Sequence, residues 1–270
     1  MKYVLFTGAT GGLGSVCVQG LTDRGYTVFA AGTNGDRLAQ LGGLPRAIPL
    51  HLDVTDMRSV EAARDTVLQY TQRLHAIVNF AGLSAFCSLV EGESVGLTER
   101  LLDVNVMGMV RVNRTFFDLV LAGGGRIINC SSEAGWMTSQ PFAGPYFLSK
   151  HAVEAYSDSL RRELLCLGVP VVKLQPGSYK TSLTDGVTAQ FDKTLAQTQY
   201  YQTVLTRMKP FLAGELERAN DPAKLARTLI RAIEAKRPKL QYRVGTGKTL
   251  ALMELLPDGA LDLIYKMMFR

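Results

Sequence analysis

Tyr146 and Lys150 stand four residues apart in the stretch SSEAGWMTSQPFAGPYFLSKHAVEAYSDSLRREL. From Ala143 onward, apolar residues recur at three- and four-residue steps (Leu148, Ala152, Ala155, Leu160, Leu164), which predicts a helix. On a helix the two side chains share a face, one turn apart. An ammonium beside a phenol favours the phenolate. At about 4 Å and an effective dielectric of about 20 the attraction is roughly 4 kcal/mol, or about three pKa units before screening and desolvation. That would carry a phenol from about 10 towards neutrality, where a general acid or base works best. His151 is adjacent in sequence but roughly 140° around the helix from Tyr146, and reads as structural. Tyr-x-x-x-Lys is common by chance, so its meaning rests on the elements that position it.

Those elements alternate. Apolar runs at 3–6, 27–31, 48–52, 76–79, 126–130 and 169–174 read as strands, and amphipathic stretches between them read as helices. The stretch from Leu97 to Leu121 reads as one long helix, broken by Gly123-Gly124-Gly125. Such alternation predicts an α/β fold with a parallel sheet covered on both faces. Ligands in these sheets lie at the carboxyl ends of the strands. The segment 182–214 carries Phe191, Tyr200, Tyr201, Met208 and Phe211 without a strand, and reads as one or two helices forming a lid. Asp221-Pro222 starts a helix, Gln241-Tyr242-Arg243 reads as a last strand, and 245–270 as an apolar helical tail. One domain accounts for all 270 residues.

Composition narrows the class. Hydrophobic residues make up 47% of the chain, enough for one sizeable core. The four cysteines, Cys17, Cys87, Cys130 and Cys166, form no CxxC pair and no cluster with histidine, which argues against a metal site and fits a reducing, cytoplasmic setting. MKYVLFTG is too short an apolar start for a signal peptide, and no run approaches the roughly 18 residues of a membrane span. The net charge of +6 is dispersed, and no nucleic-acid motif accompanies it. In the tail, Leu252, Leu255, Leu256, Leu261 and Ile264 are expected to pack on the body or line a partner interface, with membrane contact as the alternative.

After the first strand comes Thr7-Gly8-Ala9-Thr10-Gly11-Gly12-Leu13-Gly14, opening a helix. Glycines there let backbone approach a pyrophosphate, and the helix start directs N–H groups at the anion. With this loop the chain resembles the short-chain dehydrogenase/reductase family from residue 3 to about residue 181. The stretch GPYFLSKHAVEAYSDSLRREL also resembles the branch that contains hydroxysteroid and retinol dehydrogenases. TGATGGLG resembles the family's cofactor loop and implicates Gly8, Thr10, Gly12, Leu13 and Gly14. LDVTD implicates Asp53 and Val54 at the adenine, and NFAG, where the family usually has NNAG, implicates Asn79, Ala81 and Gly82. VNVMG places the active-site asparagine at Asn105, and PGSYKT places Pro176, Gly177 and Thr181 beside the nicotinamide.

The resemblance implies a single-domain, Rossmann-like, doubly wound sheet and an oxidoreductase that moves a hydride between nicotinamide and a secondary alcohol or ketone. Tyr146 would be the acid–base. Lys150 would lower its pKa and hold the ribose, and Asn105 would support a proton-relaying water. The family's serine falls on Glu133 by simple counting, but GWMTSQPF is one residue longer than usual, which moves the role to Ser132, with Ser131 the alternative. Gly32 stands where enzymes specific for NAD carry a carboxylate, and Thr33 and Asn34 could bond a phosphate, with Arg37 nearby. NADP(H) is therefore favoured over NAD(H). The apolar lid favours a lipophilic ring substrate such as a hydroxysteroid or bile acid, with retinol or a general carbonyl as alternatives. A homodimer or tetramer is expected. The competing class is a dinucleotide-binding regulator without turnover.

Overall fold

A computed structural model describes residues 1–179, 182–217 and 220–269. Its centre is a seven-stranded, all-parallel sheet: β1 (Tyr3–Thr7), β2 (Thr27–Gly32), β3 (Ala47–His51), β4 (Ala76–Asn79), β5 (Arg126–Cys130), β6 (Val171–Pro176) and β7 (Gln241–Val244). The order is β3-β2-β1-β4-β5-β6-β7, so the chain reverses direction across the sheet between β3 and β4. β1 and β2 are short apolar runs buried on both faces, as parallel strands must be when helices cover each side.

On one face α1 (Gly12–Asp23) and α9 (Pro222–Glu234) bury Cys17, Val18, Leu21, Leu225 and Leu229 against Phe6, Val28 and Leu174. On the other, α3 (Met57–Leu68) and α5 (Gly108–Ala122) bury Val60, Val67, Val112 and Phe116 against Leu5, Phe29 and Ile127. α6 (Gly144–Glu163) completes that layer, and α2 (Gly35–Gly42) links β2 to β3. Asp221 caps α9 by accepting from the Ala223 N–H, with Pro222 at the start where its missing donor is harmless.

Two sequence expectations change. The stretch from 97 to 121 is not one helix: α4 (Ser94–Leu102) leads through a π-helical turn, Asp103–Met107, into α5. The π-turn carries Asn105 and turns it inward, and such turns concentrate at functional sites. Asn79 was expected at the cofactor, yet its side chain is buried. Its Nδ2 donates to Asn113 Oδ1 (2.7 Å) and Asn129 Oδ1 (2.9 Å), stitching β4 to α5 and β5. The amide is thus a structural hub, because a buried polar group this deep must find partners in the protein. Phe80, the departure from the usual motif, packs its ring on Phe6 at 5.3 Å between centroids.

The segment expected to form a lid is two helices, α7 (Ser182–Gln197) and α8 (Gln202–Glu217). Phe191 is buried with Phe86 and Leu205, while Tyr201 and Met208 pack partly against that cluster. Tyr200 and Phe211 face solvent instead. The tail forms α10 (Lys248–Met253) and α11 (Asp258–Phe269); Leu261 is buried, but Leu252, Leu255 and Leu256 are exposed. No helix among the described residues is long and apolar enough to cross a membrane.

Candidate active site

The loops after β1 and β4 build a cradle. Gly8 has φ +71, and a Cβ there would lie 2.6 Å from the Ala81 nitrogen. At Gly14 a Cβ would overlap the Gly8 carbonyl, so the helix can approach the turn only without one. The Thr7 hydroxyl accepts from the Phe80 (3.0 Å) and Ala81 (3.2 Å) amides and fixes the spacing of the two loops. This backbone-lined start of α1 fits a dinucleotide pyrophosphate.

At the β2 end, Arg37 donates from Nη1 to the Thr10 carbonyl (2.7 Å) and so lies against the glycine loop. Asn34 is committed differently from the sequence expectation: its Oδ1 accepts from the Arg37 N–H (3.0 Å) as the cap of α2. Thr33 is exposed. A Cβ at Gly32 would meet the Thr10 hydroxyl at 2.6 Å, so a carboxylate cannot be added there without displacing Thr10. Asp53 holds Thr55 through its N–H (2.9 Å) and hydroxyl (2.7 Å), and these bonds hold its carboxyl below the usual range. Val54 is buried under Gly108, and its carbonyl accepts from Arg111.

The chemical end lies beyond β4 and β5. Lys150 is buried, and its Nζ donates to the Cys130 carbonyl at the end of β5 (3.0 Å). Burial lowers its pKa, opposed by Cys130 and Glu154. A Cβ at Gly82 would lie 3.7 Å from Lys150 Nζ and 3.3 Å from Asn105 Oδ1, so the glycine leaves room where the two side chains converge. Asn105 donates to the Leu83 carbonyl and the Ser149 hydroxyl (both 2.9 Å) and accepts from the Leu83 N–H (2.7 Å).

Tyr146 lies half-buried near Ser132, whose hydroxyl acts to lower the phenol's pKa. Ser132 starts a short 3-10 turn, Glu133–Gly135, and accepts from the Ala134 N–H (3.2 Å). Ser131 points elsewhere. Its hydroxyl is buried with no hydrogen-bond partner among the described residues and would clash with a Cβ on Gly135. The structure therefore brings Tyr146, Ser132, Lys150 and Asn105 to one strand-end region. Thr181 lies outside the described residues; Pro176 ends β6 and Gly177 follows it, tight against the Gly245 carbonyl and Glu133 Oε2.

One electrostatic expectation is reversed. The phenol of Tyr146 is not lowered but pushed up to about 12 by burial, against the lowering bond from Ser132, with Cys130 and Glu133 adding to the rise. The ammonium of Lys150 faces the Cys130 carbonyl and stands 5.8 Å from the centre of the Tyr146 ring, so its attraction is weaker than contact would give. Sequence reasoning also missed Glu133 as a charge beside the phenol, although its place directly after Ser132 was a usable signal.

A family model described as short chain dehydrogenase matches residues 2–192. The chain belongs to the short-chain dehydrogenase family. This short-chain dehydrogenase is 32% identical to Retinol dehydrogenase 16 of Rattus norvegicus over 279 residues, covering 98% of this chain and 87% of that protein. It is 36% identical to human 17-beta-hydroxysteroid dehydrogenase type 6 over 188 residues, 68% of this chain and 59% of that protein. A solved short chain dehydrogenase from Burkholderia cenocepacia J2315, in complex with NADP, has a TM-score of 0.75 at 21% identity, covering 98% and 99% of the two chains, a likeness of fold. The classification is that of an NAD(P)-dependent oxidoreductase acting on CH–OH and C=O groups, in a branch like the retinol and hydroxysteroid dehydrogenases.

Ser132→Ala should lower kcat by about 10²-fold or more, the scale of losing one donor at a developing oxyanion, while Ser131→Ala should change it little. The reverse ranking would put the serine role one residue earlier. The raised phenol fixes a second expectation by sign: an acid whose pKa is raised keeps its proton until the pH rises through that higher value. Ultraviolet difference titration of cofactor-free protein against Tyr146→Phe should show no phenolate from Tyr146 up to about pH 9, beyond the neutral range where such a group would work as a base. Phenolate appearing near neutrality in the parent alone would mean that Lys150 outweighs burial.

Proposed function

We propose that the chain reduces or oxidises a lipophilic ring ketone or alcohol of the hydroxysteroid or retinoid kind, using NADP(H) in preference to NAD(H). The observation that carries the substrate class is the aromatic cluster at the lid. Phe86 stacks on Phe142 (5.7 Å) and meets Phe191 at a tilt (5.0 Å), and Phe142 meets Tyr201 edge-on (5.1 Å). Phe142 precedes Tyr146 by four residues, so the cluster borders the reacting end of α6. Beside it a cavity of about 270 Å³ is walled mainly by Leu89, Val90, Phe142, Tyr201, Val204 and Phe269. Tyr146 and Ser132 do not line this cavity, which fits the distal part of a ring substrate rather than its reacting carbon. The names of the retinol and 17-beta-hydroxysteroid dehydrogenases support the same class.

When bound, the nicotinamide supplies or accepts the hydride. The protein's part is the proton and the oxygen. Tyr146, protonated through neutral pH, gives its proton to the substrate oxygen in reduction and takes it back in oxidation. Ser132 donates to the same oxygen and stabilises the charge that develops there. Lys150, held by Cys130, adds a fixed positive potential behind the phenol, and Asn105 keeps the adjoining loop at Leu83 in place. For the cofactor, the absence of a carboxylate at Gly32 and the guanidinium of Arg37 beside Thr10 support a 2′-phosphate. The NADP bound to the Burkholderia cenocepacia protein is in keeping with this.

The test of substrate class is kcat/KM for a steroid or retinoid carbonyl beside a short-chain ketone and a sugar. The ring substrates should lead by at least about tenfold, since one buried side chain of this size contributes roughly 1.5–3 kcal/mol. Tyr201→Ala should erode that lead while sparing the short ketone. Preference for small polar substrates would overturn the ring assignment and leave the hydride chemistry intact, which loss of all turnover in Tyr146→Phe reads separately.

The test of cofactor choice is the kcat/KM ratio of the two nicotinamides. Arg37→Glu should cost NADP(H) at least about tenfold and NAD(H) far less. A parent protein that prefers NAD(H) by tenfold, about 1.4 kcal/mol, would overturn the assignment.

A further inference from the structure

Four side chains form a continuous bridge that the proton chemistry does not itself use. Arg243, in β7, lays its guanidinium over Trp136 with the central carbon 3.8 Å from the ring centre. Its Nε donates to Gln175 Oε1 in β6 at 3.4 Å, and Gln175 Nε2 donates to Glu154 Oε1 in α6 at 2.8 Å. The second oxygen of Glu154 accepts from Lys173 Nζ at 2.9 Å, a cation shared with Asp158 at 3.0 Å.

The two ends of this bridge, Glu154 and Trp136, each sit on an element that carries one member of the reacting pair. Glu154 stands one helical turn after Lys150 and two after Tyr146. Trp136 closes the turn that begins at Ser132, through Gly135 N–H to the Ser132 carbonyl and Trp136 N–H to the Glu133 carbonyl (both 3.1 Å). The middle of that turn rests directly on α6, since a Cβ at Gly135 would come within 2.9 Å of the Lys150 carbonyl and of Glu154 Cγ. Its start is fixed by the Ser131 N–H bonding the Leu174 carbonyl (2.8 Å). The indole Nε1 of Trp136 is buried with no hydrogen-bond partner among the described residues, and the ring is held by the Ala134, Met137 and Phe147 cluster and by Arg243 over its face.

We infer that Arg243 and Glu154 are positioning residues, which through Trp136 and Gln175 set the separation of the Ser132 hydroxyl from the Tyr146 phenol. The inference rests on the reading of Ser132 and Tyr146 as the reacting pair. A donor displaced by a fraction of an ångström loses much of its effect on a developing charge. Lysine cannot replace arginine here, because only the planar guanidinium both stacks and bonds sideways.

The test uses Arg243→Met, Arg243→Lys and Glu154→Gln in the full chain, each alone and combined with Ser132→Ala. Arg243→Met should lower kcat roughly fivefold, the scale of a lost cation–π contact, with KM and NADP(H) affinity unchanged, and Arg243→Lys should restore little. In the Ser132→Ala background the same substitution should make no further difference, since the group it positions is gone. A loss that multiplies undiminished in that background would overturn the inference, because a merely structural role would behave that way. So would an unchanged kcat in Arg243→Met. Trp136 is the only tryptophan in the chain, which gives a readout independent of turnover. Acrylamide quenching of its fluorescence should rise in Arg243→Met and, through Gln175, in Glu154→Gln; quenching equal to the parent in both would sink the brace.

Discussion

A buried ammonium is the constraint on which this site depends. Lys150 lies inside the protein on α6 and is tied to the end of β5 by the Cys130 carbonyl. An ion taken out of water costs several kcal/mol unless its surroundings are fixed around it. Four segments meet there: the end of β5, the Gly82 loop after β4, the π-turn with Asn105, and α6 itself. Buried amide bonds join the Gly82 loop, the π-turn and α6 to one another, and the Asp103–Arg111 ion pair (2.8 Å) also ties the π-turn to α5. Rigidity at this point follows from the charge, and the placement of the phenol follows from the rigidity.

The phenol shows which effect wins when two oppose. A cation one helical turn away lowers a pKa only as far as it stays close and exposed to little competing desolvation. Here the cation points at a carbonyl, and burial dominates, so the free protein holds a proton on Tyr146. This suits an acid that gives a proton to a carbonyl oxygen. Any agent that adds positive charge near the phenol would favour the opposite direction.

Much of the scaffold was legible from residue pattern alone. Short apolar runs set off by Gly and Asp located the strands to within about two residues, because strands buried on both faces leave no room for polar positions. The extra residue in GWMTSQPF was readable as a shift of the serine role to Ser132, and Ser132 is the serine that acts on the Tyr146 phenol's pKa. The π-turn was not. Its residues, Asp103–Met107, keep a helical pattern, and a single extra residue per turn leaves no compositional trace. Nor could pattern separate the lid residues that pack, Phe191 and Tyr201, from Tyr200 and Phe211, which face outward. That depends on the angle at which α7 and α8 dock.

The strand order separates the two tasks of the molecule. Because the chain reverses between β3 and β4, the loops after β1 and β4 diverge and open a crevice at the switch point. Thr7 closes the bottom of that crevice with one hydroxyl, and Gly8 keeps it open by lacking a side chain. On the β2 side stand Gly32, Asn34 and Arg37; on the β5 side stand Ser132, Lys150 and, from α6, Tyr146. Among the described residues, the hydrogen bonds of Arg37 and those of Ser132 share no partner. Groups that share no partner and lie far apart act independently. On the proposed reading, a substitution at β2 that alters nicotinamide choice should leave proton transfer at β5 unchanged, with the glycine loop between them as the expected phosphate cradle.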